Sequence, residues 1–426
     1  MACRGDAAAR SKLSRAPVDE AAAKTLHDSP RAQERRPWGL LALLIAMTAI
    51  GPTTLNIVVP ALPDIANRLA SDIATIQLTV SIYLVGLAAG QLLMGPLSDR
   101  FGRRPVILAG LALTAAASVL ALSMGTATSL IVARVFQALG ASAGIVVARA
   151  IIRDMFDREH AASMIGLVAT VMVVVPLFGP LLGGLLQMGF GWEAIFLFTA
   201  ISSALVVLWA AVALPETRGL NAPPGIRAGF FRDLAGLSVN ARFVGYICAA
   251  AFGSGTFFAF LGAGPHVIIT LLQRSPAEYG VWFAISSIGY MSGNFVASRL
   301  STRLGIDRLI WCGIAAEAVG VVLATALIGT IKQWGPAVVI VPQLIVGIGN
   351  GMMLPGAISG AVSIRPQAAG TAAGITGFLQ MALGAAITQL AGWAIADQPT
   401  GLPMVLVMDG IVFGLVLSFA LLVWRR

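Results

Sequence analysis

The sequence predicts an all-α membrane protein: twelve transmembrane helices arranged as two pseudo-symmetric six-helix bundles. Three observations carry this. The 426 residues are 58% hydrophobic and only 11% charged, well below the roughly 25% charged residues of water-soluble domains. Apolar segments of about 20 residues, the length that crosses a bilayer, recur along the chain. The second set of segments also echoes the first at a nearly constant offset.

The spans fall near 38–61, 74–97, 105–124, 127–150, 161–187, 193–214, 242–264, 277–299, 307–327, 336–358, 370–392 and 402–424. Before them, residues 1–37 carry Arg4, Arg10, Lys12, Arg15, Lys24, Arg31, Arg35 and Arg36. Interleaved acids and the lack of apolar periodicity mark this stretch as a disordered tail, not a nucleic-acid reader, despite the net charge of +9. It is too long and too acidic for a secretory leader, so the first apolar segment is read as an uncleaved helix. Residues 215–241, with Pro223-Pro224-Gly225 at their middle, read as a linker between a bundle at 38–214 and one at 242–426.

Charge sets the sidedness. Of the 28 basic residues, 24 fall in the tail, the even-to-odd loops and the C-terminus. Arg68, Arg274 and Lys332 lie on the other face, and Arg134 lies inside a span. By the positive-inside bias both termini are expected in the cytoplasm.

Internal repetition supports duplication. A shift of 203 lays Leu300–Gly305 on Leu97–Gly102, and a shift of 207 lays Gly347 and Gly351 on Gly140 and Gly144. Paired repeats with a midplane site between them are transporter architecture. Cys3, Cys248 and Cys312 are scattered, as are His27, His160 and His266. No metal spacing or nucleophile–base motif arises, so neither a metal nor an enzyme is expected.

Intramembrane polar residues are the functional candidates, because charge and hydrogen-bonding groups are expensive there. Arg134 sits about 10 Å below the outer end of its helix at 1.5 Å per residue. Asp64 lies near the outer end of the first span, lining a vestibule or sitting among headgroups. Glu317 falls near mid-bilayer, and Asp409 about two turns inside the last span. A buried carboxyl of this kind suits a proton carrier. The uncharged cavity candidates are Asn56, Gln77, Tyr83, Gln137, Phe257, Phe258, Gln343, Asn350 and Gln380. Few polar groups among apolar walls suit a moderately amphipathic neutral ligand. Each could equally serve hydrogen bonding between helices.

Several motifs resemble those of the major facilitator superfamily. Gly95-Pro96-Leu97-Ser98-Asp99-Arg100-Phe101-Gly102-Arg103-Arg104 is similar to the family's loop between its second and third helices. Arg134-x-x-Gln137-x-x-Gly140 resembles its fourth-helix motif, implicated in proton coupling. Gly179-Pro180-x-x-Gly183-Gly184 resembles the antiporter motif of its drug–proton exporters. Pro60-Ala61-Leu62-Pro63 and Arg149-Ala150-Ile151-Ile152-Arg153-Asp154 narrow the likeness to the Bcr/CflA group, including phenicol exporters.

The resemblance implies a monomer in the bacterial inner membrane that exports a small amphipathic drug by proton antiport. The proton gradient is its energy source and no bound cofactor is implied. Arg134, Asp64, Glu317 and Asp409 become the proton-coupling candidates. Gly95, Asp99, Arg100, Gly102 and Arg103, completed by Arg153 and Asp154, become a cytoplasmic latch, with Gly179–Gly184 as a gating kink. In the second copy Thr302 and Ile306 replace Asp99 and Arg103, so the latch is expected in one half only. One departure matters: Asn56 stands where the group usually has an aspartate, and an amide does not titrate. Two alternatives therefore remain: a metabolite exporter of the same fold, or a facilitator or sensor without proton coupling.

Overall fold

The computed structural model describes residues 38–123, 125–156, 158–217, 235–331, 334–365 and 368–424. The tail and the Pro223-Pro224-Gly225 part of the linker lie outside the described residues. The long helices of the first half are α1 (Trp38–Asn56), α2 (Ile73–Phe101), α3 (Arg103–Leu122), α4 (Ala127–Met155), α5 (Arg158–Phe190) and α6 (Glu193–Ala213). Those of the second are α7 (Ala241–Pro265), α8 (Pro276–Leu304), α9 (Ile306–Thr330), α10 (Pro336–Ser363), α11 (Ala369–Ile395) and α12 (Leu402–Phe419). Among the described residues, ten helical stretches are long and apolar enough to cross a membrane. The other two spans are α5, whose 177–190 part is a shorter apolar stretch, and α8, whose length of 29 residues suffices but which is more polar.

Local chemistry sets the ends. Asp72, Thr126, Asn240 and Ser275 cap α2, α4, α7 and α8 by accepting from the backbone N–H three residues on. The Asp72 carboxyl is held below its usual range by the hydroxyl and amide of Thr75, at 2.6 and 2.8 Å. The first span is not one helix to residue 61. It stops at Asn56, passes through a 3-10 turn at Val59–Ala61 and resumes as a short helix, Leu62–Arg68. Pro60 and Pro63 have no N–H to continue the ladder.

The charged stretch after α2 is a tighter feature than the loop the sequence suggested. Gly102 alone separates α2 from α3, with φ of 105°. Gly305 does the same between α8 and α9, with φ of 79°. A side chain is disfavoured at such φ, which is why both turns use glycine. Asp99, Arg100, Arg103 and Arg104 consequently lie on helix ends, and α2, α4, α8 and α10 run four or five residues past their expected ends near 97, 150, 299 and 358.

Within each half the same helices pair: α2 with α4 and α3 with α4, then α8 with α10 and α9 with α10. Small residues set the contacts. A Cβ on Gly86 would meet the Val135 carbonyl, and one on Gly289 would overlap that of Leu344. Gly90 faces Leu139 O as Gly293 faces Ile348 O, and Gly110 faces Gly140 O as Gly313 faces Gly349 O. The 203 shift (86 to 289, 90 to 293, 110 to 313) holds, but α10 matches α4 at 209 (135 to 344, 139 to 348, 140 to 349), not 207. Matching glycine to glycine by identity misplaced the register by two. With the packing register, Gln343 stands where Arg134 does. The halves meet along α5–α8 and α2–α11.

Candidate functional site

A cavity of about 640 Å³ opens among α7, α8, α10 and α11, with Arg149 of α4 and Val174 of α5 on its far side. That is the size of a pocket for a drug-sized molecule. One wall is aromatic. Phe257 meets Phe258 edge-on at 5.4 Å and Phe283 at 6.1 Å, and Phe283 stacks on Phe260 at 5.8 Å. Apart from Arg149, the polar groups are neutral. Gln380 Nε2 donates to Ala250 O and to Ser254 Oγ, each at 3.3 Å. Asn350 Nδ2 donates to Gly253 O at 2.8 Å and to Thr256 Oγ1 at 3.0 Å, leaving its Oδ1 unpartnered. Gln343 lies in the same lining.

Ser286, Tyr290 and Asn294 of α8 also line the cavity, and sequence reasoning missed them. Their spacing of four puts them on one helix face, a polar stripe that could have been read from the chain. It also contributes to the polarity of α8.

The first-half candidates do not line this cavity. Arg134 is fully buried. Its Nε donates to Thr79 O at 3.1 Å and its Nη1 to Thr54 O and Gln137 Oε1 at 3.1 and 3.0 Å. Its guanidinium lies 4.1 Å from the Tyr83 ring centroid, a favourable cation–π distance. Tyr83 donates to Gly51 O at 2.9 Å, and Gln137 Nε2 to Ser118 Oγ at 2.7 Å. This network ties α1, α2, α3 and α4 together. Asn56 is also buried, its Nδ2 donating to Pro52 O at 2.8 Å, with Gly179 pressed against its Cβ. Gln77 lies in the seam between the halves, against Gly262 and Gly392.

The acids differ in their surroundings. Asp64 accepts from Gln187 Nε2 at 2.8 Å and lies 3.3 Å from Arg68 Nε. Asp409 accepts from Thr325 Oγ1 at 2.6 Å. Glu317 is fully buried and neither carboxyl oxygen has a hydrogen-bond partner. It lies against Gly349 and Gly253, and Gly253 supplies the carbonyl that Asn350 bonds. Thr114, its counterpart at the 203 shift, is by contrast bonded to the carbonyls of Gly110 and Gln137.

At the Gly102 turn, Arg103 is shared. It donates from Nη1 to Asp99 at 2.5 Å and Ser98 at 2.7 Å, and from Nε to Asp154 at 2.9 Å. Glu216, missed because it lay in the linker, accepts from the backbone N–H of Arg103 and Arg104 at 2.9 and 3.2 Å, an acid on a helix N-terminus. Arg100 and Arg153 are exposed outside this cluster; Arg100 lies over Phe101 instead. The second half has its own acid after all. Asp307 accepts from Tyr246 at 2.5 Å and Arg242 at 3.5 Å. Gly183 packs on the Ile57 carbonyl, and Gly184 on Pro276 across the seam, where a Cβ would overlap backbone atoms.

Twelve long helices among the described residues, in two repeated halves, with an amphipathic cavity lined mostly by the second half, define a multi-pass membrane transporter. Residues 41–389 match the Major Facilitator Superfamily, and the chain belongs to that family. It is 31% identical to Multidrug resistance protein D of Escherichia coli over 82% of this chain and 87% of that protein. It is 33% identical to a Chloramphenicol resistance protein of Pseudomonas aeruginosa over 77% of this chain and 75% of that protein. The fold is shared with the crystal structure of a D-xylose-proton symporter, at TM-score 0.73, 13% identity and coverage of 90% of this chain and 96% of that one.

Proposed function

We propose that this protein exports small amphipathic antibiotic-like compounds, phenicols among them, across the bacterial inner membrane in exchange for protons. The halves rock about the cavity, both termini face the cytoplasm, and the monomer is the working unit. The names of the two relatives support drug export. The observation that carries the coupling is Glu317: a buried carboxyl with no hydrogen-bond partner, packed against Gly349, the neighbour of the Asn350 that lines the cavity. Charge is expensive at such a place unless paired, so its proton content follows movement of α7, α9 and α10. Asn56 cannot play this part. An uncoupled facilitator is the second reading, and Asn56 is the observation in its favour.

Purified protein in proteoliposomes separates the two. Under the proposal, adding chloramphenicol evokes proton release from wild type and none from Glu317→Gln, which still binds the drug. Binding by wild type without proton release would favour the facilitator.

A further inference from the structure

Arg149 is the one charged side chain among the described residues lining the cavity. It is on α4, six residues before the helix end, and it is exposed to the cavity. Among the described residues it has no hydrogen-bond or ion-pair partner, unlike Arg103, Arg104 and Arg134, whose guanidinium groups are engaged. Arg153, one turn on, adds charge of the same sign. The rest of the lining is aromatic, aliphatic or neutral polar. A guanidinium facing an apolar-walled cavity is costly unless an anion or water meets it, and no acid on the lining does.

We propose that Arg149 sets the substrate class: the cavity takes amphipathic aromatic molecules that carry a carboxylate or comparable anionic group, and prefers them to their neutral analogues. The aromatic part packs against Phe257 and Phe283, and the anionic end faces Arg149, which offers planar donors matched to a carboxylate. Cations are disfavoured by the same charge. This inference rests on the cavity being the substrate site, as proposed above, but needs neither a proton gradient nor turnover.

The test is equilibrium binding of biphenyl-4-carboxylate and biphenyl-4-carboxamide to purified full-length protein in nanodiscs. Wild type is expected to bind the carboxylate about tenfold more tightly, the scale of one charge-assisted hydrogen-bonded pair. Arg149→Gln brings the ratio to about one, and Arg149→Lys retains most of it. Equal affinities in wild type, or a ratio unchanged in Arg149→Gln, would overturn the proposal. So would equal loss of both ligands in both variants, because Arg149 would then only shape the cavity. A preserved preference without drug-evoked proton release would sink the antiport reading and leave this one standing.

Discussion

Ser81 and Gln389 join the two halves: the Ser81 hydroxyl donates to Gln389 Oε1 at 3.1 Å, while Gln389 Nε2 donates to Ala74 O at 3.0 Å. Both bonds cross the α2–α11 seam, toward the end of the molecule opposite the Gly102 turn. Each is worth about 1 kcal/mol net. Gln389→Leu removes both, so the seam should open more often. Spin labels at Asn67 and Gln398, both exposed near that end, should report a larger population of long distances. An unchanged distance distribution would mean the seam is held elsewhere.

Gly184 tests the other seam. A Cβ there would overlap the backbone of Pro276 and Ala277, whereas one on Gly189 meets nothing within 4 Å. Overpacking of this kind costs about 1–3 kcal/mol. Gly184→Ala should therefore wedge α5 from α8, lowering drug export and shifting the same spin-label distances, and Gly189→Ala should do neither. Equal export by the two variants would show that the seam yields without cost.

How much of this was legible in the chain differs by level. The spans were, because apolar runs of bilayer length leave few alternatives. Their ends were not, since Ser98–Phe101 and Ser301–Leu304 stay helical until a glycine with positive φ stops them. The duplication was visible, but its register in α10 was set by which carbonyl each glycine packs on. Arg134 could be picked out as costly and in need of partners. That it points into its own bundle could not, because each residue turns the helix face by about 100°. Arg149 was passed over for the same reason: in sequence it looks like one more charge at the edge of a span.

Arg134 should behave first as a structural residue. Arg134→Ala leaves the carbonyls of Thr54 and Thr79 and the amide of Gln137 without their buried donor. The loss should be about 3 kcal/mol or more, read as a lower unfolding temperature in detergent. Tyr83→Phe, which keeps the ring under the guanidinium and removes the phenol's bond to Gly51 O and its contact with the Thr54 hydroxyl, should cost about 1 kcal/mol. If Arg134→Ala unfolds with wild type yet fails to export, its role lies in coupling, not in holding α1, α2 and α4 together.

The Arg103 cluster gives a ranked prediction. Arg103 bonds Asp99 and Asp154 at once, so Arg103→Ala removes both of these ion pairs, while Asp99→Asn and Asp154→Asn each remove one of the two. These pairs are only partly buried, which limits each to about 1 kcal/mol or somewhat more. Export should fall most in Arg103→Ala and to a similar, smaller degree in the two acid variants. Arg303, which matches Arg100 at the 203 shift and is likewise exposed, should tolerate alanine. There the corresponding anchor is Asp307, held by Tyr246 and Arg242. Asp307→Asn should therefore reduce export where Arg303→Ala does not. Drug-resistance titres of the five variants at matched membrane levels decide it. Equal sensitivity of Arg303 and Asp307 would undo the argument that Asp307 anchors the second half's turn.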